Sequence, residues 1–160
     1  MRGIDWFAGV GGYTLAMRRA GIEVVGACEC NMTKRVQYVE RFGVPEWYSD
    51  DAFNSFRVPD ADIWTACSSV PDLLAWLFGH PKLATWTVME CVRADLPELL
   101  HVVTRTTSRI SVLPAGMRVF VVIGPREAWP AADLPAHDGR GPESTPEALD
   151  IVLRAILEAS

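Results

Sequence analysis

The chain has 160 residues and a mass of 17.7 kDa, the size of one domain, and 49% of its residues are hydrophobic. Its formal charge of −5 and isoelectric point near 5.2 argue against unaided binding to duplex nucleic acid, because neutralising phosphates requires clustered Lys and Arg. No apolar run reaches the roughly 18 residues of a membrane span. No charged leader precedes the first strand-like segment. We therefore expect a cytoplasmic protein with no membrane association.

The cysteines argue against a disulfide framework and against a metal site. Cys28, Cys30, Cys67 and Cys91 are few and lie mostly in apolar, strand-like segments. The sequence has no CxxC pair with a second such pair or with histidines at zinc-binding spacing. We expect reduced thiols and no bound metal.

Strand and helix patterns alternate along the chain. They predict strands at 3–7, 22–28, 63–66, 86–89, 110–113 and 118–123, and helices at 13–20, 72–78 and 96–103, with a further helix that Asn31 caps and Gly43 ends. Repeating βα units with short connections indicate an α/β fold, a mostly parallel sheet with helices on both faces. We expect one domain over 1–160.

The last part of the chain breaks this alternation. Prolines, glycines and polar residues concentrate at 128–146, which predicts an irregular surface loop. A final helix is predicted at 147–158, because Leu149, Val152, Leu153 and Ile156 form one apolar stripe.

Open parallel sheets bind ligands beyond the carboxyl ends of their strands, so the loop after the first strand is the first place to look. That loop contains Gly9, Gly11 and Gly12, which permit a tight turn and the approach of a ligand to bare backbone N–H groups. A purely structural glycine turn is an equally good interpretation of the loop alone. Glu29, at the end of the second strand, stands where an acidic side chain binds a ribose diol in dinucleotide-type folds. Loop and acid together predict a cofactor that carries a nucleoside.

The segments 4–12 and 20–29 resemble the opening of DNA (cytosine-5) methyltransferases, and the likeness is nearly continuous from residue 3 to residue 66. This resemblance implies a Rossmann-like methyltransferase fold and S-adenosylmethionine, or S-adenosylhomocysteine, as cofactor. It implies a cofactor-binding set made of Phe7, Ala8, Gly9, Gly11, Gly12, Glu29, Cys30, Asp50, Asp51 and Ala66.

The resemblance also implies roles within this set. The Phe and glycines of the loop would hold the methionine part of the cofactor, and Glu29 would bind the ribose hydroxyls. Asp50 or Asp51 would contact the adenine amino group, and their adjacency leaves the choice open. The alternative for this pair is a solvated turn or a helix cap.

The catalytic motif of that family, Pro-Cys-Gln, is not present in this sequence. An ungapped comparison places Ser69, Val70 and Pro71 over it, so an apolar valine stands where the nucleophilic cysteine would be. Using Cys67 instead would require a shorter loop, and a packing role for that thiol is favoured.

Two later residues are candidate catalytic groups. Glu90 lies in a segment that resembles the strand with the family's Glu-Asn-Val, and Arg118 is what remains of a motif with Gln and two arginines. Their structural alternatives are that Glu90 only holds a neighbouring loop and that Arg118 pairs with solvent or a nearby carboxylate. His80 has no evident partner in sequence, and we expect it at the surface.

The sequence therefore predicts a cofactor-binding pseudoenzyme or cofactor-binding subunit, with cytosine methylation by the cysteine mechanism disfavoured. The alternative is an active minimal methyltransferase that acts on DNA cytosine or another acceptor, with Glu90 as general base. The family's target-recognition domain is replaced by the proline-rich loop, which leaves a trimmed surface. We expect a homo-oligomer or a protein partner there, and DNA binding only weakly or through that partner.

Overall fold

The computed structural model describes residues 1–53, 57–80, 82–103, 109–115, 117–125 and 144–160. The strands are β1 (Arg2–Trp6), β2 (Glu23–Cys28), β3 (Trp47–Ser49), β4 (Ile63–Cys67), β5 (Trp86–Val92), β6 (Arg109–Ala115) and β7 (Arg118–Gly124). The α-helices are α1 (Gly12–Arg19), α2 (Met32–Phe42), α3 (Val70–Gly79), α4 (Leu96–Val103) and α5 (Ser144–Ala159), and a 3-10 turn spans Arg93–Asp95.

Within the described residues the strands form one sheet in the order β3-β2-β1-β4-β5-β7-β6. The pairs β2–β3, β1–β2, β1–β4 and β4–β5 are parallel, whereas β7 runs antiparallel to both β5 and β6. The strand order reverses between β1 and β4, so the carboxyl ends of these two strands flank a natural ligand-binding crevice. This confirms the predicted α/β class and the mostly parallel sheet.

Helices cover both faces of the sheet, as the sequence predicts. On one face α1 and α5 pack in a cluster with Met17, Trp86 and Phe120, and on the other α3 and α4 pack around Trp6. Side chains of a strand alternate between faces, so Ile4 and Trp6 of β1 pack on the face of α3 and α4, while Asp5 points to the face of α1. The described helices include none long and apolar enough to cross a membrane.

The buried carboxylate of Asp5 ties the first strand to the first two helices. Its Oδ2 accepts hydrogen bonds from the backbone N–H and the hydroxyl of Thr14, each at 2.8 Å, and the Thr14 hydroxyl lies 2.9 Å from the Tyr38 hydroxyl. Thr65 of β4 donates to Oδ1 at 3.3 Å. Asp5 therefore holds the first turn of α1 at the carboxyl end of β1.

Several boundaries differ from the predicted ones for local reasons. Helix α3 begins at Val70 rather than 72, because the Ser69 side chain accepts a hydrogen bond from the Asp72 N–H as an N-cap. Helix α5 begins at Ser144 rather than 147, and most of the predicted loop lies outside the described residues. The expectation of a surface His80 was wrong, since this side chain is buried among tryptophans.

From the buried Asp5 carboxyl we predict that the free energy of unfolding depends on pH. Burial raises the pKa of Asp5 from 3.8 to about 7, although hydrogen bonds from Thr14 and Thr65 oppose the shift. A carboxyl whose folded pKa is raised contributes stability below its unfolded pKa, and this contribution is lost as the pH rises through the folded value. We expect the free energy of unfolding of the wild type, relative to Asp5→Asn, to fall by up to about 4 kcal/mol between pH 4 and pH 8.

Urea unfolding at several pH values measures this difference. Asp50→Asn is the matched control, because the Asp50 side chain is 72% exposed and its difference from wild type should vary little. A difference for Asp5→Asn that stays constant or grows with pH would contradict the prediction.

Candidate functional site

The loop between β1 and α1 is held in an unusual backbone conformation. Phe7, Gly9 and Gly11 have φ angles of 56°, 57° and 91°, all in the left-handed region. The chain is pinned where the Ala8 N–H donates to the Cys28 carbonyl and the Gly11 N–H donates to the Ala8 carbonyl, both at 2.8 Å. A non-glycine residue such as Phe7 adopts this conformation only where its surroundings impose it, which is typical of ligand-binding loops.

Glu29 joins this loop to the start of α2. It follows β2 directly, is 7% exposed, and its Oε2 accepts a hydrogen bond from the Gly9 N–H at 2.8 Å. Its Oε1 accepts one from the Asn31 N–H at 2.7 Å, and Asn31 in turn caps α2 through Lys34. The sequence-predicted loop and acid are therefore in direct contact, and the acid is positioned by backbone donors on both sides.

The loop glycines have two different functions. A Cβ at Gly11 would lie 2.1 Å from the ring carbon Cε2 of Phe42, so this glycine allows α2 to pack against the loop. A Cβ at Gly9 or Gly12 would meet nothing within 4 Å, so these two glycines face open space. The loop thus presents bare backbone on its outer side, beside the buried Glu29 carboxylate.

The remaining predicted cofactor residues surround this loop at different depths. Cys30 is exposed, with its Sγ 3.8 Å from Glu29 Oε1, whereas Ala66 is fully buried at the end of β4 opposite Trp6 of β1. The Phe7 ring packs against the Phe53 ring, with centroids 6.0 Å apart. The side chain of Ala66 is enclosed, so Ala66 could contribute to a site only through its backbone.

The adjacent aspartates after β3 differ in their partners. Asp50 forms an ion pair of 3.2 Å with Arg35 of α2. Asp51 turns the chain, because its Oδ1 accepts a hydrogen bond from the Phe53 N–H at 2.8 Å and its own N–H donates to Ser49. Asp51 thus takes the turn-forming role that the sequence left open for this pair. Both aspartates directly follow Ser49, whose carbonyl accepts a hydrogen bond from the Glu29 N–H at 3.0 Å.

A second polar cluster lies at the carboxyl end of β5. Glu90 is 2% exposed, and its two carboxylate oxygens accept from the Tyr13 hydroxyl at 2.6 Å and from Arg118 Nη1 at 2.9 Å. Cys67 of β4 lies beside them, with its Sγ 3.6 Å from the same Arg118 nitrogen. The two predicted catalytic candidates are therefore paired with each other, and the guanidinium, 48% exposed, connects them to solvent.

The cysteine of this cluster is a poor nucleophile. Burial, and next the neighbouring Glu90 carboxylate, raise the pKa of the Cys67 thiol to about 12, although Arg118 lowers it. Val70 offers no replacement, because its side chain is a hydrocarbon, and this residue begins α3 and is 1% exposed. Neither side chain supplies a thiolate at neutral pH.

Tyr13 was missed by sequence reasoning. It follows Gly12 in the first turn of α1, so the loop itself brings its hydroxyl toward the carboxyl end of the sheet. Burial and the Glu90 charge raise the Tyr13 pKa well above its usual value, so its hydroxyl stays protonated and donates. Its place directly after the glycine loop was the available signal.

The comparisons with known proteins rest on structure. No family model and no curated protein match the sequence. The chain is similar to the Dnmt2 methyltransferase of S. pombe, with a TM-score of 0.61 and 18% identity over 78% of this chain and 49% of that one. It is similar to the ribosomal protein L11 methylase of Lactobacillus delbrueckii, with a TM-score of 0.61 and 15% identity over 78% and 69% of the two chains.

A third similar structure is TrmK of M. capricolum in complex with S-adenosyl-homocysteine, with a TM-score of 0.58 and 12% identity over 79% of this chain and 62% of that one. These likenesses show a Rossmann-like fold of the S-adenosylmethionine-dependent methyltransferases. They extend beyond Dnmt2 and so do not single out the DNA (cytosine-5) class. The chain spans about half the length of the S. pombe Dnmt2 chain.

The two loop glycines predict unequal effects on stability. Gly11→Ala should destabilise the fold by about 2–4 kcal/mol, because its methyl group overlaps the Phe42 ring and the left-handed backbone is strained. Gly9→Ala should cost only about 1–2 kcal/mol, since its methyl group enters open space and only the backbone term remains. Urea unfolding of both variants compares them, and equal losses would contradict the assignment of Gly11 to packing.

Proposed function

We propose that this chain binds S-adenosylmethionine or S-adenosylhomocysteine at the β1–α1 loop. The observation that carries this proposal is the buried Glu29 carboxylate, fixed by the Gly9 and Asn31 N–H groups beside glycines that face open space. An ordered acid at the tip of β2 suits the diol of a ribose, and the uncovered backbone at Gly9 and Gly12 suits close approach of the rest of the ligand. The complex of the similar TrmK structure with S-adenosyl-homocysteine supports the choice of cofactor.

Within this proposal, the loop and the residues around it bind different parts of the cofactor. Glu29 accepts hydrogen bonds from the ribose hydroxyls with the lone pairs that the two backbone donors leave free. The Thr14 N–H in the first turn of α1 donates to Asp5, and the N–H groups of Gly12 and Tyr13 before it would favour an anionic group such as a carboxylate. Asp50 and Asp51 are candidates for the adenine side, together with the Phe7 ring.

We further propose that the chain does not methylate cytosine through a cysteine adduct and acts as a cofactor-binding pseudoenzyme or subunit. Covalent catalysis needs a thiolate. The buried Val70 stands at the position of the nucleophile in the DNA (cytosine-5) methyltransferases, and the pKa of the nearby Cys67 thiol is raised to about 12. Only Ser68 and Ser69 separate β4 from α3, which leaves little chain to carry a catalytic loop.

A second candidate function is methyl transfer to a different acceptor, and the Glu90 cluster favours it. A buried carboxylate near the cofactor loop is typical of a general base. Both of its oxygens already accept hydrogen bonds from Tyr13 and Arg118, so taking a proton from an acceptor would require one of these bonds to break. This cost is the reason to rank methyl transfer second.

Partners and location stay predictions. We expect a homo-oligomer or a protein partner at the trimmed carboxyl edge of the sheet, where Met117 is 82% exposed and Val92 44% exposed. DNA contact would then be weak or would pass through that partner, and the protein is expected in the cytoplasm.

Calorimetric titration with S-adenosylmethionine and S-adenosylhomocysteine tests the cofactor proposal. We expect saturable binding that Glu29→Ala weakens by at least about tenfold, since hydrogen bonds to a charged group contribute about 1.5–3 kcal/mol. Glu23→Ala is the matched control, because Glu23 is exposed at the amino end of the same strand and should leave affinity unchanged. Absence of binding at millimolar ligand, or equal loss in both variants, would refute the proposed site.

Release of S-adenosylhomocysteine tests the second candidate. With S-adenosylmethionine and a panel of cytosine oligonucleotides, tRNA and proteins, the pseudoenzyme proposal expects no release above the rate without acceptor. If one acceptor is methylated, Glu90→Gln should lower turnover while cofactor affinity stays within about twofold. Turnover that Glu90→Gln abolishes would favour the second candidate over the first.

A further inference from the structure

A cavity of about 500 Å³ lies at the other end of β4 from the cofactor loop. Its walls come from the segment that leads into β4 and the segment that leads into β5, at the amino ends of these strands. The residues that matter for its chemistry are Arg57, Asp60, Trp64, His80, Lys82 and Leu83. None of the predicted cofactor or catalytic residues lines it, and its volume falls within the range of small-molecule sites.

The floor of this cavity is aromatic. Trp64 is 7% exposed and His80 is 9% exposed, and their ring centroids lie 5.7 Å apart. Behind them stand Trp6 and Trp76, with centroids 4.6 Å and 5.6 Å from that of His80. A ligand that enters the cavity therefore meets ring surfaces, which favour another flat ring by stacking or edge contact.

The polar groups of the floor have defined orientations. The Nδ1 of His80 lies 2.9 Å from the Trp76 carbonyl, which can only accept, so Nδ1 carries a proton and Nε2 is the remaining polar atom of the ring. The indole N–H of Trp64 is buried and has no hydrogen-bond partner among the described residues. The same holds for the indole N–H groups of Trp6 and Trp76, so these donors are enclosed in the aromatic cluster and do not open into the cavity.

The rim of the cavity is more positive than negative. Arg57 and Lys82 are exposed cations, whereas Asp60 is the one carboxylate among the described residues that line the cavity. Arg2 also lies at this end of the sheet, but its guanidinium donates to the Asp60 carbonyl at 2.9 Å and is ion-paired with Glu46 at 2.8 Å, so it adds no net positive charge. In a chain with a formal charge of −5, two cations against one carboxylate in the described lining favour an anion.

We propose that this cavity is a second ligand site, which binds a small planar aromatic ring with one anionic group. The ring lies on the Trp64 and His80 floor, and the anion is held at the rim by Lys82 and Arg57. Two sources share this chemistry, an aromatic carboxylate and a nucleoside monophosphate. The site is independent of the proposed cofactor site, because the two share no residue.

Indole N–H signals in a ¹H–¹⁵N NMR spectrum test the proposal directly. The chain has six tryptophans, and Trp64→Phe identifies the Trp64 signal by its disappearance. The probes are indole-3-acetate and adenosine 5′-monophosphate, each compared with its neutral counterpart, indole-3-acetamide and adenosine. We expect one of the anions to shift the Trp64 signal saturably and to bind roughly fivefold or more tightly than its neutral counterpart. The anion that binds identifies the source.

Variants at the rim locate the charge, and a variant at Glu29 separates the two sites. Lys82→Met should weaken the anion roughly fivefold, and Lys82→Arg should retain its affinity. Lys82 is exposed, so neither change threatens the fold. Glu29→Ala should leave the Trp64 titration unchanged even though it weakens the cofactor.

Three results would overturn the proposal. The first is no saturable shift of the Trp64 signal with either anion up to millimolar concentration. The second is equal affinity for an anion and its neutral counterpart, or indifference to Lys82→Met. The third is loss of the Trp64 shift in Glu29→Ala, which would place the probe in the cofactor site. Failure of S-adenosylmethionine to bind would leave this titration intact, so the two proposals fail separately.

Discussion

A buried carboxylate must find hydrogen-bond donors, and this requirement organises the carboxyl end of the sheet. Asp5, Glu29 and Glu90 belong to or directly follow β1, β2 and β5, and each is almost fully enclosed. Each accepts hydrogen bonds from other elements, and the first turn of α1 supplies donors to two of them. Asp5 takes them from the first turn of α1, Glu29 from the glycine loop and the start of α2, and Glu90 from Tyr13 and Arg118. Removing any one acid would leave buried donors unpaired in the elements that it joins.

The donors differ in kind, and this distinguishes the Glu29 site from the Glu90 cluster. Glu29 is held by backbone N–H groups, whose positions are fixed by the turn and by the cap of α2. Glu90 accepts hydrogen bonds from a tyrosine hydroxyl and from an arginine side chain that is 48% exposed, so one of its two donors belongs to a long side chain that solvent reaches. The Glu29 site therefore has a preorganised geometry, while the Glu90 cluster depends on an ion pair that solvent reaches.

The sequence predicted what depends on local pattern. Alternating βα signals gave the parallel sheet, glycines marked the turn after β1, and the Asn31 cap and Gly43 end of α2 were both confirmed. Contacts over long separations could not be predicted in this way. Glu90 meets Tyr13 across 77 positions of sequence, and no spacing rule links them.

His80 shows the same limit from the opposite direction. A histidine in a short loop next to proline is typical of a surface, and its local sequence contains nothing to suggest otherwise. Its burial comes from Trp6, Trp64 and Trp76, three rings that belong to β1, β4 and α3 and converge only in the folded sheet. The start of α3 at Val70 is a milder case, because Ser69 and Asp72 formed a recognisable cap that the apolar pattern alone did not reveal.

Neighbouring residues of β1 explain why the β1–α1 loop can hold a strained conformation. Asp5 points to the face of α1, where it accepts hydrogen bonds from Thr14. Trp6 points to the opposite face, where its ring centroid lies 5.4 Å from that of Trp64. The strand is thereby fixed on both faces immediately before Phe7, whose φ of 56° begins the loop. Left-handed backbone at a non-glycine residue costs about 1–2 kcal/mol, and aromatic pairs of this kind contribute about 0.5–1.5 kcal/mol each beyond their burial. The tryptophan cluster therefore offsets the strain of the loop, and one of its rings, that of Trp64, also lines the cavity at the amino end of β4.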